Sequence, residues 1–324
     1  MVALNHTAVI AETTGHSPDL NGAYPFNLKD SQLSPNDFLI QYPPGAYTAC
    51  RTLGHNSIVE FDSHMTRIAN SVKYYDFSEG SASEQAQELS AKFHLFKHVG
   101  SVRKILVPMM KGALLRYFEL LGESKEEAKI TLIVCAKDGH PFSAVHVTRL
   151  SGPKSGRCKV AVHGEPRNSP KIKDSQWVRD RQSIEDELPS DVNEALLYDS
   201  ATGHVYEGLS SNFFAVVKDP QSGEPKVVTA PVEHVLLGTI MKIVIATCER
   251  NGIPVEFTFP NLGDLLSFRW EGAFITSTSR LVLPIETVEF PDGSSSVRLG
   301  DCPTVEFLRQ EVEKEIYTRS HRIM

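Results

Sequence analysis

The chain has 324 residues, of which 41% are hydrophobic and 23% charged, and its net charge at pH 7 is −7. This composition is that of a globular protein and excludes a wholly disordered chain. An acidic balance without any basic run also lacks the charge pattern of a nucleic-acid-binding protein. The length indicates two domains or one large one.

Cysteine usage and hydropathy indicate a soluble protein of a reducing compartment. The five cysteines are scattered and form no Cys-x-x-Cys motif, which favours an intracellular location, either cytoplasmic or the mature form of an organellar protein. The longest apolar runs are far shorter than the ~18 residues of a membrane-spanning helix. We therefore expect neither a membrane nor a nucleic acid as a partner.

The first half of the chain predicts an irregular start followed by mixed helices and strands. Residues 1–35 are rich in Asn, Ser, Pro and Asp and predict an irregular lead-in. A hairpin around Gly54–Asn56 follows. A helix capped by Asp62 comes next, with apolar residues at steps of three and four. Residues 81–121 predict helix with an interruption near His98. Two strands complete this half: Ile130–Ala136 and Ala144–Leu150.

The segment Ser151–Gly156 predicts a linker, because small residues and a proline separate two strand-like stretches. We expect this linker to divide the chain into one domain over residues 1–155 and another over residues 156–324; the family resemblance described below implies that the first is the smaller, α/β domain and the second the larger. Strands and helices alternate without the strict βαβ rhythm of a parallel sheet, which predicts the α+β class. The elements predicted after the linker are strands at Lys159–Val162, Glu194–Tyr198, Phe213–Val217 and Gly272–Thr276, and helices at Thr239–Glu249 and Val305–Tyr317.

The familiar nucleotide, zinc-protease and serine-hydrolase motifs do not occur in the sequence. His94 and His98 stand four residues apart and could share a metal ion. No carboxylate is clearly placed to join them, so two surface histidines are the better interpretation. We expect no metal site.

The segment Pro166–Phe214 holds the most informative residues. Glu207 is followed by Gly208 and, after one leucine, by Ser210-Ser211-Asn212, between two predicted strands. This order crowds small hydrogen-bond donors around one carboxylate. From physical chemistry alone, a serine-rich hairpin and a functional site are equally good interpretations.

This segment resembles the signature of the class IV, or fold-type IV, pyridoxal-phosphate enzymes. They comprise the branched-chain aminotransferases, the D-amino acid aminotransferases and the aminodeoxychorismate lyases. Four further blocks resemble the family in the same order, so that the resemblance covers about residues 40–310. These blocks are Gly45–Thr52, His64–Ser71, Leu237–Ile240 and Phe274–Ile285.

The resemblance implies a covalently held pyridoxal 5′-phosphate in a cleft between a small N-terminal domain and a larger, barrel-like C-terminal domain. Its lysine is expected on a strand before Glu207, and both Lys171 and Lys173 are candidates. Strand alternation cannot separate them, because both would project to the same side. Lys173 stands 34 residues before Glu207, which matches the branched-chain pattern, whereas Lys171 directly follows Pro170. We therefore favour Lys173.

The family's chemistry gives each matched residue an expected role. Lys173 would form the Schiff base and move the proton, and Glu207 would keep the pyridine nitrogen protonated. Arg67 would bind the phosphate, although an arginine on an amphipathic helix is usually a solvated charge. The Ser279 amide could face a substrate carboxylate. The other expected cofactor contacts are Ser211, Asn212, the backbone amides of Thr239 and Ile240 at a helix N-terminus, and the Thr278 hydroxyl.

The expected substrate pocket departs from every subfamily. Thr48 stands where the family usually has Glu, and Val178 where branched-chain enzymes have Tyr. No arginine accompanies the segment at His140 that corresponds to the carboxylate trap of the D-amino acid enzymes. The candidates for substrate contact are Tyr47, His140 and Trp177.

The resemblance implies a transaminase that moves an amino group from an amino acid, or amine, to a 2-oxo acid. A lyase of the aminodeoxychorismate type, which would use the same lysine, is the nearest alternative. A catalytically silent family member with an interaction role is a distant one. Because the family is dimeric, we expect a homodimer.

Overall fold

The computed structural model describes residues 7–15, 17–19, 22–77, 83–152, 156–219, 221–290 and 295–324. These form two compact units. Unit 1 comprises Met1–Ser151, Ile172–Asp180 and Arg319–Met324, and unit 2 comprises Gly152–Lys171 and Arg181–Thr318.

The division does not follow a single cut in the sequence. Ile172–Asp180 and Arg319–Met324 belong to unit 1, although sequence analysis assigned both segments to the C-terminal domain. Residues 153–155 of the expected linker lie outside the described residues. The predicted boundary at 155/156 therefore stays a prediction.

Both units mix strands and helices along the chain. The strands are β1 (Ala8–Thr13), β2 (Phe26–Ser31), β3 (Gly45–Leu53), β4 (Ser57–Val59), β5 (Ala128–Lys137), β6 (His140–Arg149), β7 (Cys158–Val162), β8 (Glu194–Asp199), β9 (His204–Gly208), β10 (Asn212–Lys218), β11 (Pro225–Thr229), β12 (Val255–Phe257), β13 (Trp270–Ser277), β14 (Leu281–Glu289), β15 (Ser296–Arg298) and β16 (Ser320–Arg322). The helices are α1 (Pro35–Ile40), α2 (Phe61–Tyr74), α3 (Ser83–Lys92), α4 (Val99–Leu121), α5 (Gln176–Asp180), α6 (Gln182–Glu187), α7 (Thr239–Arg250), α8 (Leu262–Leu266) and α9 (Pro303–Thr318), with a short 3₁₀ turn at His94–Lys97.

Unit 1 is built on a seven-stranded sheet in the order β16-β4-β3-β5-β6-β1-β2, and each neighbouring pair is antiparallel. Alternate residues of its strands face two different apolar layers, as the two-residue period of a strand requires. On β5, Ile130, Leu132 and Val134 join the larger layer with helices α2 and α4. Ile133 and Cys135 join the smaller layer with α1 and α5.

Two predictions for unit 1 are wrong. The expected irregular lead-in contains β1, whose Ala8–Ala11 run is fully buried and pairs with both β2 and β6. Its strand signal is only four apolar residues long, and the surrounding polar residues obscured it. The N-cap of α2 is Glu60, with φ +52° and no side-chain capping bond, and Asp62 lies inside the first turn instead.

A buried histidine lies in the sheet of unit 1. The Nε2 atom of His146, on β6, lies 3.0 Å from the Leu33 carbonyl oxygen, and the ring stacks on Phe38 with centroids 4.9 Å apart. Burial lowers the pKa of His146 to about 4. The ring is therefore neutral at physiological pH.

Unit 2 contains a closed six-stranded barrel. The strands follow the order β10-β13-β14-β7-β8-β9, and the pair Asn212–Glu207 joins β10 to β9 and closes the ring. Strands β11 and β12 extend the sheet from β10, and β15 pairs with β14. Closure pairs the edges that an open sheet would expose. The expected α+β fold with a barrel-like second domain is thereby confirmed.

Side chains that alternate along the barrel strands of unit 2 face either the apolar core or the outer side of the barrel. Phe213, Ala215 and Ile275 belong to the apolar core of the barrel. Their neighbours Phe214 and Phe274 point to the other face and stack at 4.8 Å. Helices α7 and α9 pack against this unit's strands and each other. None of the helices among the described residues is long and apolar enough to cross a membrane.

Candidate active site

Lys173 lies outside the regular strands, in an irregular segment that precedes α5, so the expectation that it lies on a regular strand is wrong. Backbone hydrogen bonds fix this segment to β3 of unit 1, with which Asp174 forms an isolated antiparallel bridge at Ala46. The Tyr47 amide donates to the Lys173 carbonyl at 2.9 Å, and the Ser175 amide donates to the Gly45 carbonyl at 2.9 Å. The Asp174 carboxylate then accepts from the Gln176 amide at 2.8 Å and starts the helix. An aspartate at this position favours the start of a helix, which ends the pairing with β3.

The Lys173 side chain faces an aromatic ring. Its Nζ atom lies 4.7 Å from the ring centroid of Tyr47, which is buried. At this distance the ring's electron-rich face attracts an ammonium group. Lys171 is exposed, whereas Lys173 is half-buried. The surroundings of Lys173 are thus those of a held amine, and those of Lys171 are those of a solvated one.

Arg67 lies on α2 of unit 1 and is half-buried. Burial lowers its pKa to about 10, against the opposing effects of Tyr47, Cys50 and Glu60. The guanidinium therefore keeps its charge at neutral pH despite the cost of partial desolvation. Such a group binds anions well, since its planar donors match phosphate oxygens.

The other two candidates for substrate contact also belong to unit 1. Trp177 is half-buried on α5, next to Val178, which is fully buried among apolar residues that include Tyr47. His140 is half-buried at the start of β6, after a turn in which Asp138 and Gly139 have φ values of +51° and +72°. Val178 itself fills a core position, where it offers no hydroxyl to a ligand.

Glu207 is buried on β9 of unit 2, and an arginine that sequence analysis missed holds it. The Nε and Nη2 atoms of Arg167 donate to Glu207 Oε1 at 2.9 and 2.5 Å. Glu207 Oε2 accepts from the Leu236 amide at 3.1 Å. The two side chains are only 5% and 9% exposed, so this is a buried ion pair. A guanidinium so close favours the charged form of the carboxylate.

Glu207, Asn212 and Thr276 form one row across three barrel strands. Asn212 on β10 lies opposite both Glu207 on β9 and Thr276 on β13, so that the three side chains lie on one face. Asn212 Nδ2 donates to the Leu236 carbonyl at 2.6 Å. Together with Glu207, it holds both peptide groups of Leu236, two residues before the N-cap of α7.

The N-terminus of α7 is open to an anion. Its N-cap is Gly238, which makes no side-chain capping bond. A Cβ atom there would lie 2.1 Å from Asn212 Oδ1, so only glycine fits. Thr239 and Ile240 supply the first helical amides and are both buried. The first amides of a helix lack intrahelical acceptors and attract phosphate groups.

The Thr276 hydroxyl provides a test of that interpretation. Thr276 is 1% exposed, and its Oγ1 atom has no hydrogen-bond partner among the described residues. It shares the face of Asn212, which contacts the segment leading to α7. A buried polar atom without a partner usually marks a water, an ion or a ligand. The residues of unit 2 therefore fit a phosphate-bearing cofactor at this helix.

The remaining predicted residues lie on two turns of unit 2. Thr278 and Ser279 are half-buried in the turn that joins β13 to β14. Ser211 is buried in the turn between β9 and β10, where its hydroxyl donates to Glu194 at 3.1 Å. Leu281, directly after the first turn, has φ +55°, a strained value for a leucine.

The structure thus distributes the predicted residues between two groups. Tyr47, Arg67, His140, Lys173 and Trp177 belong to unit 1, and the others belong to unit 2. His94 and His98 are exposed with ring centroids 5.2 Å apart, and no metal-binding group of three His, Cys, Asp or Glu side chains occurs among the described residues.

Three residues of unit 2 that contact or adjoin the predicted ones were not predicted: Arg167, Thr276 and Arg280, the last of which donates to the Glu194 carboxylate that also accepts from Ser211. Thr276 precedes Thr278 by one strand period, so alternation along β13 could have suggested it. Arg280 directly follows the predicted Ser279. Nothing in the sequence pairs Arg167 with a glutamate 40 residues later.

Comparison with known proteins identifies the family. The family model described as "Amino-transferase class IV" matches residues 45–288, about three quarters of the chain. The search of curated proteins found no match.

Solved structures show the same fold. A fold IV transaminase from Curtobacterium pusillum is 16% identical, with a TM-score of 0.66, and the alignment covers 96% of this chain and 99% of that one. A branched-chain aminotransferase from Thermoproteus uzoniensis, solved with norvaline, is 16% identical, with a TM-score of 0.63 and coverage of 92% and 97%. An aminotransferase from Brucella abortus bound to pyridoxal phosphate is 14% identical, with a TM-score of 0.62 and coverage of 96% and 99%. At these identities the likeness concerns the fold. Because the family model spans most of the chain, the chain belongs to the class IV aminotransferases and is a pyridoxal 5′-phosphate-dependent enzyme of that family.

Proposed function

We propose that the enzyme transfers an amino group from an amino acid, or amine, to a 2-oxo acid. Lys173 would hold the cofactor covalently through its amine, and Glu207 would face the pyridine nitrogen. The observation that carries the proposal is the N-terminus of α7, which has no side-chain cap and lies in the unit that contains Glu207. The Thr276 hydroxyl, on the strand face of Asn212 and without a hydrogen-bond partner among the described residues, would add a donor for an anion.

The phosphate would be held by residues of different chemical kinds. The amides of Thr239 and Ile240 would donate to it, since they lead a helix whose dipole favours negative charge. The Thr278 hydroxyl would add a donor, and Arg67 would add a positive charge. These independent donors would hold the phosphate in place while bonds form and break at the other end of the cofactor.

The protonation of the cofactor's pyridine ring would depend on the charge of Glu207. When bound, pyridoxal phosphate supplies an electron sink that accepts negative charge from the substrate carbon. A carboxylate opposite the pyridine nitrogen holds a proton on that nitrogen through a charge-assisted hydrogen bond. Arg167 and the Leu236 amide fix the carboxylate in place, so that little reorganisation would be needed during the reaction.

Lys173 would act as the base once its amine is released. Its Nζ atom would take a proton from the substrate carbon and return it to the cofactor. The Tyr47 ring would stabilise the ammonium group that forms after Nζ takes the proton, because a cation lies favourably over an aromatic face. The Tyr47 amide donates to the Lys173 carbonyl and so fixes the backbone from which the side chain would reach the cofactor.

For the substrate contacts, we propose candidate residues without assigning most of them an individual role. The Ser279 amide would face the substrate carboxylate, with Tyr47, His140 and Trp177 as candidates for side-chain recognition. Ser211 and Asn212 would act at the cofactor, as neighbours of Glu207 on the barrel rim. We also propose a homodimer, which sedimentation at micromolar concentration tests; a purely monomeric profile would contradict it.

A panel of L- and D-amino acids tests the reaction type. Each compound is added without a co-substrate while the cofactor's absorbance and the released products are recorded. The proposal expects a stoichiometric change to the aminated cofactor with one 2-oxo acid per site, reversed by adding a 2-oxo acid. Continuous release of pyruvate or ammonia without a co-substrate would instead establish a lyase.

A further inference from the structure

A second ion pair in unit 2 joins Arg280 to the buried carboxylate of Glu194. Arg280 Nη1 donates to Glu194 Oε2 at 2.5 Å, and Arg280 Nη2 donates to the Asn193 carbonyl at 3.2 Å. The Glu194 side chain is 4% exposed and that of Arg280 is 23% exposed. Burial lowers the pKa of Arg280, but the charge and the hydrogen bond of Glu194, with Cys158 and Glu185, together leave this pKa raised. The guanidinium therefore keeps its charge at neutral pH.

The same carboxylate also holds the turn between β9 and β10. Glu194 Oε2 accepts from the hydroxyls of Ser210 at 2.8 Å and Ser211 at 3.1 Å. A Cβ atom on Gly208 would lie 2.3 Å from the Ser211 hydroxyl oxygen and 2.9 Å from Glu194 Cγ. Glycine is thus required for the turn to lie directly on the carboxylate.

Arg280 lies in a strained hairpin turn. It follows Ser279, its amide donates to the Ser277 hydroxyl at 3.3 Å, and the next residue, Leu281, has φ +55°. Left-handed backbone at a leucine costs free energy and persists only where its surroundings enforce it. The contacts of Arg280 with Glu194 and Asn193 supply that enforcement.

We propose that Glu194 and Arg280 are positioning residues that fix the turn of Thr278 and Ser279 against the turn of Ser210 and Ser211. Neither would touch the substrate. The inference rests on the proposed function, which assigns the Thr278 hydroxyl to the cofactor phosphate and the Ser279 amide to the substrate carboxylate. Joining both turns through one carboxylate oxygen would set the donors' distances before any ligand binds.

The test measures ligand affinity in the full-length chain after removal of the cofactor. Dissociation constants are determined for pyridoxal phosphate, for inorganic phosphate and for pyridoxal, which lacks the phosphate. In Glu194→Gln and Arg280→Gln we expect affinity for both phosphate-bearing probes to fall about tenfold, within the range for residues of one network. Affinity for pyridoxal should change less than about twofold.

A double variant separates positioning from folding. Replacing a buried ion pair by neutral side chains is often neutral for stability, whereas removing one partner is costly. Glu194→Gln with Arg280→Met should therefore recover stability yet keep the weak phosphate binding. Arg280→Lys, which keeps one charge-assisted contact, should fall between this variant and the unchanged protein.

Arg157→Met is the matched control. Arg157 also belongs to unit 2 and donates to backbone carbonyls, including that of Gly300 at 2.7 Å. Its loss should lower stability without changing phosphate affinity. If the stable double variant binds all three probes as the unchanged protein does, the inference is overturned. If the unchanged protein itself fails to bind pyridoxal phosphate, the proposed function fails instead, which is a distinguishable outcome.

Discussion

The buried pair of Glu207 and Arg167 gives the sharpest energetic prediction. Glu207→Gln keeps the shape of the side chain but leaves the Arg167 guanidinium buried without its counter-charge. Removing one partner of a buried ion pair costs ~3–5 kcal/mol. We expect the lower end, about 3 kcal/mol of unfolding free energy, because the amide oxygen can still accept from Arg167.

The assay follows unfolding of the cofactor-free chain in urea. Trp270, on β13, is 5% exposed and reports on unit 2 by fluorescence when Trp177 is replaced by phenylalanine. Glu207→Gln with Arg167→Met removes both charges and should regain most of the loss. Glu286→Gln is the control, since its partner is largely exposed and the expected loss is below about 1 kcal/mol.

The same variant tests the chemistry. Removing the charge opposite the pyridine nitrogen should lower turnover by about 100-fold, while cofactor binding persists through the phosphate contacts. An unchanged unfolding free energy would refute the energetic reasoning. Turnover at the unchanged rate would show that Glu207 is not the partner of the pyridine nitrogen.

Three further predictions concern single substitutions at His146, Thr276 and Gly238. The pKa of His146 is about 4 in the folded chain, below the ~6.5 of an unfolded histidine. The neutral ring therefore contributes its whole stabilisation above pH 6.5, and this stabilisation is lost as the pH falls towards 4. Urea titrations should show about 3 kcal/mol more acid destabilisation between pH 7 and pH 4 in the unchanged protein than in His146→Gln; parallel curves would contradict this. Thr276→Val should stabilise the cofactor-free chain slightly but weaken inorganic phosphate binding about tenfold, because one charge-assisted hydrogen bond is lost. Calorimetry measures both the stability and the phosphate affinity. The control is Thr131→Val, because Thr131 is another buried threonine whose hydroxyl lacks a partner among the described residues. Gly238→Ala should weaken pyridoxal phosphate binding, since its Cβ would collide with Asn212, and an unchanged dissociation constant would refute that steric argument.

The fold was predictable where a local pattern coincides with a tertiary one. Strand β5 and the amphipathic helix α7 appear in the sequence with nearly their observed bounds, whereas β6, predicted over Ala144–Leu150, begins four residues earlier at His140. β1 was not found, because its burial comes from two neighbouring strands, one of them far away in sequence. Its four apolar residues are too few to show a period of their own.

The candidate site was predictable as a set of residues and not as a set of interactions. Spacing to Glu207 selects Lys173, yet the segment that carries it forms through long-range bonds to β3. The partners Arg167 and Arg280 arise from contacts across 40 and 86 positions of the chain. Side chains that fix a functional group have no required spacing from it, so only the folded structure reveals them.

Borohydride reduction followed by peptide mapping tests the central claim most directly. The reagent makes the bond between the cofactor and its lysine permanent, so the modified peptide identifies the residue. We expect a single label on Lys173, whose amine lies over the Tyr47 ring, and none in Lys173→Ala. A label on Lys171 would contradict the assigned lysine, and a protein that takes up pyridoxal phosphate without any label would contradict the proposed chemistry.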